Sequence, residues 1–319
     1  MSTSVLTNQS ALTALLALNN TQQTMNQYES QISTGLRIAS AADNASYWSI
    51  ATNMSSDVGA LGAVSDALSQ SSSLLTTTTA AMQSTVSVMD KIKNDLTQAS
   101  QSGANMSAIQ TDIAAQQALL FSIGNSANFT GTNLLTNTST ATGTPTALNS
   151  INFVASFNAN GGTQAVSFIT LNTSYTSATT PGTELFDGTT GATNAAAATG
   201  GILGTAGTNS GVSVLAMNVS TLTAGSTQIA NMLADVQTAI SSITTAASTI
   251  GGAQTNVTDQ QTFISNLSSS LTVGVGALVN ADMNQASTKI AALQVQQQLG
   301  VQALSIANSN TQLILKLFP

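Results

Sequence analysis

Residues able to do chemistry are few in this chain, and most stand apart from one another. The densest cluster is MDKIKNDL, Met89 to Leu96, where Asp90, Lys91, Lys93 and Asp95 share one short window. Carboxylates and ammonium groups so placed can exchange protons or hold a charged partner. The default reading of such a run is a solvated helix face. Arg37 is the only Arg. Its guanidinium is suited to a bidentate contact with a carboxylate or with main-chain carbonyls, and Asp43 is the nearest acidic candidate. Asp43 and the following Asn44 are equally fitted to cap a helix. Tyr47 beside Trp48, the single Trp, would suit either a ligand platform or packing at a protein interface, and packing is favoured. Neither Gly200–Gly201 nor Gly251–Gly252 leads into Lys-Ser/Thr, so neither is a phosphate loop.

Composition removes whole classes of site. With no Cys and no His, thiolate and imidazole metal sites, Cys–His nucleophiles and Ser–His–Asp triads are excluded. No catalytic, cofactor-binding or metal-ligating residue is assigned, and the reading is not an enzyme. Charged residues make up 5% of the chain, against about 25% in an ordinary soluble protein. Five basic residues face twelve acidic ones, a net charge of -7. No basic patch exists to neutralise phosphates, which excludes nucleic acid. The first twenty residues have no basic n-region and only a short apolar run around Leu12 to Leu18, so neither a cleaved signal nor a spanning helix is expected there. The absence of Cys fixes no redox compartment. A length of 319 residues suggests one large domain or two to three modest ones.

The elements that must position these residues fall into three zones. Up to about Phe129 apolar residues recur at helical spacing, as in Met25, Tyr28, Ile32 and Leu36, with pauses at Gly35 and at SQSGAN, Ser100 to Asn105. Beyond the second pause the stripe is Ile109, Ile113, Leu119, Leu120 and Ile123. Thr, Gly and Asn dominate from about Thr130 to Thr223. There, INFVASF and QAVSFITL flank NANGGT and predict a β-hairpin from Ile151 to Leu171. TTGATNAAAATGG reads as low-complexity surface loop. From about Ala224 helical stripes return, through Ile229, Met232, Leu233, Val236, Ile240 and Ile243, then Phe263, Ile264, Leu267 and Leu271. The last helix carries Ile290, Leu293, Val301 and Leu304 on one stripe, with Val295, Leu299, Ile306, Leu313 and Leu317 near it. The fold class is therefore mainly α: long antiparallel coiled-coil-like helices from both chain ends, with a β-hairpin and a small loop-rich or β outer insert in the middle.

ISTGLRIASAADNASYWSIATNM, Ile32 to Met54, resembles the N-terminal signature of bacterial flagellins, a Ser/Thr-Gly-Leu-Arg-Ile run followed by Ser-Ala-x-Asp-Asp/Asn-Ala. ALVNADMNQASTKIAALQVQQQLGVQALSIANSN, Ala277 to Asn310, followed by LILKLF, resembles the C-terminal counterpart. Two independent ends in the right order are far more specific than one short motif. The chain departs from the family at Ala42, where the family's run commonly has Lys.

The resemblance implies residues 1–43 and 276–319 as the two parts of an inner domain that orders on assembly. It implies 44–129 and 224–275 as helices of a rod domain, 130–171 as that domain's hairpin region, and 172–223 as a variable surface-exposed insert. Assembly contacts are expected from Leu12, Leu15, Met25, Tyr28, Ile32, Leu36, Arg37, Ile290, Leu293, Leu299, Leu304, Leu313 and Leu317. Lys91, Asp95 and Asp112 stand where family members contact an innate immune receptor through an Arg, a Leu and a Glu, and the carboxylate in place of the apolar anchor implies weak activation. O-linked sugars are expected on Thr189, Thr190 or Thr193.

Implied partners are further copies of the chain in an open helical polymer, sister flagellins, an export chaperone and the secretion apparatus, and the filament cap and hook–filament junction proteins; no membrane span and no cofactor are implied. Export would proceed without a cleaved signal peptide, to an extracellular filament that drives swimming. Two alternatives remain at this point: a hook–filament junction protein, and a filament subunit whose insert adds an adhesin role. A third, a protease insert built on a zinc-binding His-Glu-x-x-His helix, fails for want of His. Depletion of charge fits a surface that is largely interface.

Overall fold

The computed structural model describes residues 8–137, 150–160, 163–174, 182–187 and 200–317. The chain forms two compact units, Met1–Gly59 with Leu267–Pro319, and Ala60–Asn266.

In the first unit, α1 (Gln9–Thr34) begins where the Asn8 side chain accepts from the Ala11 amide and ends at Gly35. Gly35 takes a left-handed φ of 71°, and its amide donates to the Gln31 carbonyl at 2.9 Å, so the expected pause is a glycine C-cap. The last helix, α6 (Met283–Leu317), is capped by Asp282, whose Oδ1 accepts from the amides of Asn284 and Gln285. The two helices run antiparallel. Asn8 Nδ2 donates to the Ala307 carbonyl at 2.9 Å, and Gln297 Nε2 donates to Gln22 Oε1 at 2.7 Å. Among the described residues, Met25, Ala286 and Leu293 are the buried ones of this seam.

The second unit is built on two long helices, α2 (Ala45–Ala99) and α5 (Thr227–Val279), which extend through it. Within the unit, buried residues of α2 recur at heptad spacing: Leu61, Val64, Leu68, Ser71, Leu75, Thr78, Met82, Thr85, Met89, Ile92, Leu96 and Ala99. Those of α5 do the same, with Ile or Val at 229, 236, 243, 250, 257 and 264 alternating with Met232, Ala239, Ala246 and Ala253. A sustained heptad imposes a left-handed supercoil. Hydrogen bonds across the seam fix its register. Lys93 Nζ donates to Gln237, Gln254 to Thr76, and Gln261 to Ser69, so each step back along α2 is matched by an equal step forward along α5. By length and composition alone, α5 is long and apolar enough to cross a membrane. Within the second unit its buried Ile and Val side chains line one stripe.

α2 stops at SQSGAN as expected, and Asn105 caps α3 (Met106–Ser126) by accepting from the Ala108 amide. A tight hairpin follows, β1 (Asn128–Phe129) with β2 (Thr132–Asn133), turning through Thr130 and Gly131 at φ 50° and 88°. β3 (Thr136–Asn137) pairs in parallel with β6 (Phe186–Asp187). The expected hairpin is β4 (Ser150–Asn160) with β5 (Thr163–Asn172), antiparallel from Ser150↔Asn172 to Asn160↔Thr163 with an irregularity between Val154 and Ser156.

Parts of 172–223 are packed rather than exposed. Leu185, Phe186, Ile202, Leu203, Val214, Leu215, Met217 and Val219 are buried, around a short helix α4 (Gly201–Gly204) and a 3-10 turn, Val214–Ala216. α3 holds this segment through polar side chains that a hydrophobicity pattern does not register. Buried Gln117 donates to the carbonyls of Val214 and Met217, and Gln110 accepts from the Val219 amide. Two residues expected on apolar stripes are off them. Phe263 and Leu119 are exposed, because each sits one position off the heptad seam occupied by Ile264 and Leu120. Most of TTGATNAAAATGG lies outside the described residues.

Candidate assembly surface

The junction that gathers the recognisable residues lies in the first unit, where α5 ends and α6 begins. Leu36 forms a β-bridge with Asn280. The amides of Arg37 and Ile38 donate to the Val279 carbonyl at 2.7 and 3.2 Å, and the Ala281 amide donates to the Gly35 carbonyl at 2.9 Å. Beneath the bridge Ile38, Ala51 and Val279 form a small core with Leu36, Val275 and Leu278 packed on it. Of the two partners open to Arg37, the main-chain carbonyl prevails: Nη2 donates to Leu278 O at 2.9 Å.

Asp43 has another use. Its Oδ2 accepts from the amides of Ala39 and Ser40 and from the Ser40 hydroxyl. Those bonds, Ser40's foremost, hold its carboxyl below the ordinary aspartate value. Asn44 is the cap of α2, accepting from the amides of Ser46 and Tyr47 at 3.1 Å. The Arg-to-Asp turn is thus three separate devices rather than one ion pair.

The anticipated assembly residues divide into two sets. Met25 and Leu293 are buried and Tyr28, Ile32, Leu36, Ile290 and Leu304 half-buried, at the seam of α1 with α6 or at the junction. Leu12 and Leu15 on α1, and Leu299 on α6, face outward at 54%, 49% and 58% exposure. Leu16, Val295, Val301 and Ile306 are exposed with them. Leu15, Leu18 and Val301 line an open groove with Asn19, Gln22 and Gln297. Val301, expected on the stripe of Ile290, Leu293 and Leu304, is therefore off it. Tyr47, Trp48 and Ile50 are likewise exposed on the first turns of α2. The side chains of Leu313 and Leu317 lie outside the described residues.

In the second unit Lys91 and Asp112 are exposed and Asp95 is half-buried. Gln116 Nε2 donates to Asp95 at 2.7 Å. Burial raises the Asp95 carboxyl, opposed by that hydrogen bond and reinforced by the negative charge of Asp112. Lys93 pairs loosely with Asp90 at 3.9 Å. Among the described residues no group of three or more His, Cys, Asp or Glu could hold a metal ion. Thr189, Thr190 and Thr193 lie outside the described residues.

Sequence reasoning missed Asp235. Its carboxylate is buried and accepts from the amides of Asn209 and Ser210 and from Asn209 Nδ2, at 3.1, 2.8 and 2.7 Å. Desolvation pushes its pKa up, but the hydrogen bonds from Ser210 and Asn209 outweigh it, leaving the carboxyl below the ordinary value. It pins the 207–212 loop to α5. An Asp on a helix stripe gives no sequence signal for this, since its partners lie in a loop without periodicity.

Comparison with known proteins matches both ends of the chain. The family described as the bacterial flagellin N-terminal helical region matches residues 5–140, and the bacterial flagellin C-terminal helical region matches residues 233–318. A flagellin of Brucella melitensis biotype 1 is 39% identical over 316 residues, covering 99% of each chain. Flagellin C of Rhizobium meliloti is 37% identical over 327 residues, again covering 99% of each. Flagellin A of the same species is 34% identical over 398 residues, covering 99% of this chain and all of that one.

Proposed function

This chain belongs to the bacterial flagellin family and is a structural subunit of the extracellular flagellar filament, not an enzyme, and we propose that its two paired chain ends carry the assembly. The observation supporting this is the second apolar stripe, Leu12, Leu15 and Leu16 on α1 with Val295, Leu299 and Ile306 on α6, which the α1–α6 seam leaves exposed. Uncovered aliphatic surface of that extent is favourable to bury. Copies that bury it by a head-to-tail contact which does not close extend into an open helix. The family match favours this role over the hook–filament junction reading.

In this proposal 1–43 with 276–319 form the inner domain, and 44–129, 130–171 and 224–275 the surrounding rod. Residues 172–223 form the variable surface-exposed insert, with Leu185, Ile202 and Val214 among the buried residues at its base. Lys91, Asp95 and Asp112 form a weak immune-receptor surface, with Asp95 already engaged by Gln116. Thr189, Thr190 and Thr193 are proposed sugar acceptors. Export without a cleaved signal, an export chaperone, cap and junction proteins, and co-assembling sister flagellins complete it as expectations from the family. Electron microscopy of the purified full chain, incubated with filament seeds, tests the core of the reading. Elongated filaments support it. Loss of elongation on Leu299→Gln with Ile306→Gln places the contact on this stripe, and unimpaired elongation by that variant removes the stripe from the contact.

A further inference from the structure

We propose that the α2–α5 pair of the second unit has a built-in weak waist at Ser71–Thr85 and Ala246–Gln260, where it opens before any other part of residues 61–99 and 229–264. The proposal goes beyond the filament role and does not depend on it.

Separate features coincide at this level. Along one heptad position of α2 the seam reads Val64, Ser71, Thr78, Thr85, Ile92 and Ala99, so its middle is polar while both ends are apolar. Extending the cross-seam hydrogen bonds at Thr76–Gln254 and Ser69–Gln261 puts Thr85 level with Thr245, Thr78 with Gly252 and Ser71 with Asp259, each one residue before the heptad positions Ala246, Ala253 and Gln260. In the layers of Thr85 and Thr78 a hydroxyl residue therefore lies nearest Ala246 and Ala253, whereas the equivalent layer beyond the waist sets the larger Ile92 nearest Ala239, and the layers between, through Leu75, Met82, Ile250 and Val257, remain aliphatic. Little apolar area is buried in the Thr85 and Thr78 layers.

Both helices are intrinsically weak at the same level. Thr76 to Thr79 are four β-branched residues in a row, each with its hydroxyl donating back to the carbonyl four residues earlier, at 2.8 to 2.9 Å. Such runs lose side-chain freedom in a helix, and the back-bonds compete with its ladder. Opposite them α5 carries Gly251 and Gly252, with open space where either Cβ would be. No close approach requires glycine there, so the pair contributes only its poor helix propensity. The Ser71, Thr78 and Thr85 hydroxyls each donate within α2, so those layers are hydrogen-bonded yet short of apolar packing. Gly59 and Gly62 also interrupt α2 with open space, but Gly62 lies between the buried aliphatics Leu61 and Val64, and no hydroxyl run accompanies it. Segments with few buried apolar contacts open at lower free energy than the whole domain.

Residue-resolved amide hydrogen exchange on the full-length monomer tests this. The expected profile has its lowest protection within residues 61–99 and 229–264 at 76–81 and 250–255, with higher protection on both sides. Gly251→Ala with Gly252→Ala should raise protection in both segments by about 25-fold, roughly fivefold for each glycine, while leaving residues 89–96 and 236–243 unchanged. Thr78→Leu should raise it in both helices at once if the shared layer governs opening. Gly62→Ala is the control and should raise protection only around its own turn. A flat protection profile through the waist overturns the proposal. So does a glycine-pair variant that raises protection equally along all of α5, because the pair would then open as one piece.

Discussion

The Arg37 guanidinium donates to the Leu278 carbonyl at 2.9 Å, joining two residues 241 apart in sequence. Leu278 and Val279 end α5, and the last carbonyls of a helix have no partner within it. They form the negative end of the helix dipole. Arg37 supplies a charged donor to one of them, and the amides of Arg37 and Ile38 supply the other with theirs. The lone Arg of the chain is therefore a helix C-cap contributed from the opposite chain end.

Replacing Arg37 by Ala should loosen this cap. A cation at a surface helix terminus is worth about 0.3–1 kcal/mol at low ionic strength, so the Arg37, Ile38 and Ala281 amides should exchange up to about fivefold faster. Arg37→Lys keeps the charge and should recover part of the loss. Added salt should narrow the gap between wild type and the Ala variant, and a gap independent of salt would refute the dipole account.

Asp235 predicts acid sensitivity in the second unit. Its folded pKa is lowered below the unfolded value, so its contribution is fully present above the unfolded aspartate pKa of about 3.9 and is lost as pH falls through the folded pKa. Asp235→Asn presents an amide where three donors converge and should cost about 2 kcal/mol near neutral pH. Urea unfolding followed from pH 7 to pH 3 should show the difference between wild type and variant shrinking toward the acid end. Asp95 acts in the opposite sense. Its raised carboxyl costs stability above its folded pKa, and that cost is relieved as pH falls below the unfolded value. A difference of constant size across the range would count against Asp235 as the titrating group.

Gly124 predicts a steric conflict. A Cβ there would collide with the Phe186 ring, which is fully buried and stacks on Phe121 with centroids 5.1 Å apart. Gly124→Ala should destabilise the second unit by about 1–3 kcal/mol through overpacking, even though Ala is the better helix former. Phe186→Leu in the same chain should offset part of the overpacking cost, and a double-mutant cycle in denaturant measures that coupling.

The helices, the pauses at Gly35 and Ser100–Asn105, and the hairpin around Ile151–Leu171 were legible because periodicity and turn chemistry act locally. The chain-end signatures were legible as a resemblance. What the sequence hid is polar and long-range. Whether Arg37 would choose Asp43 or Leu278 depends on α5 ending beside it, which spacing along the chain does not reveal. Ser71, Thr78 and Thr85 look like surface residues in any hydrophobicity pattern, yet they are buried because they fall on a heptad that apolar neighbours define. Phe263 misled in the opposite way, being apolar but one position off the seam. Gln117 and Asp235 buried part of 172–223 through hydrogen bonds that no periodicity carries.

The exposed stripe on α1 and α6 gives the sharpest test of how the filament forms. Leu299 and Ile306 are 58% and 64% exposed in the single chain, so changing them to Gln removes little packing from the subunit itself and should alter its stability by no more than about 0.5 kcal/mol. In the polymer, burying one such side chain is worth about 1.5–3 kcal/mol. Losing a single anchor should therefore raise the critical concentration for elongation roughly tenfold or more. Leu12→Gln on the other helix should act alike. Met25→Gln differs, because Met25 is buried within the α1–α6 seam and its loss should reduce helix content as well as elongation. Far-UV circular dichroism beside seeded elongation separates the two cases. If Leu299→Gln and Ile306→Gln lost helix content in step with elongation, the stripe would be structural within the subunit and not the contact between copies.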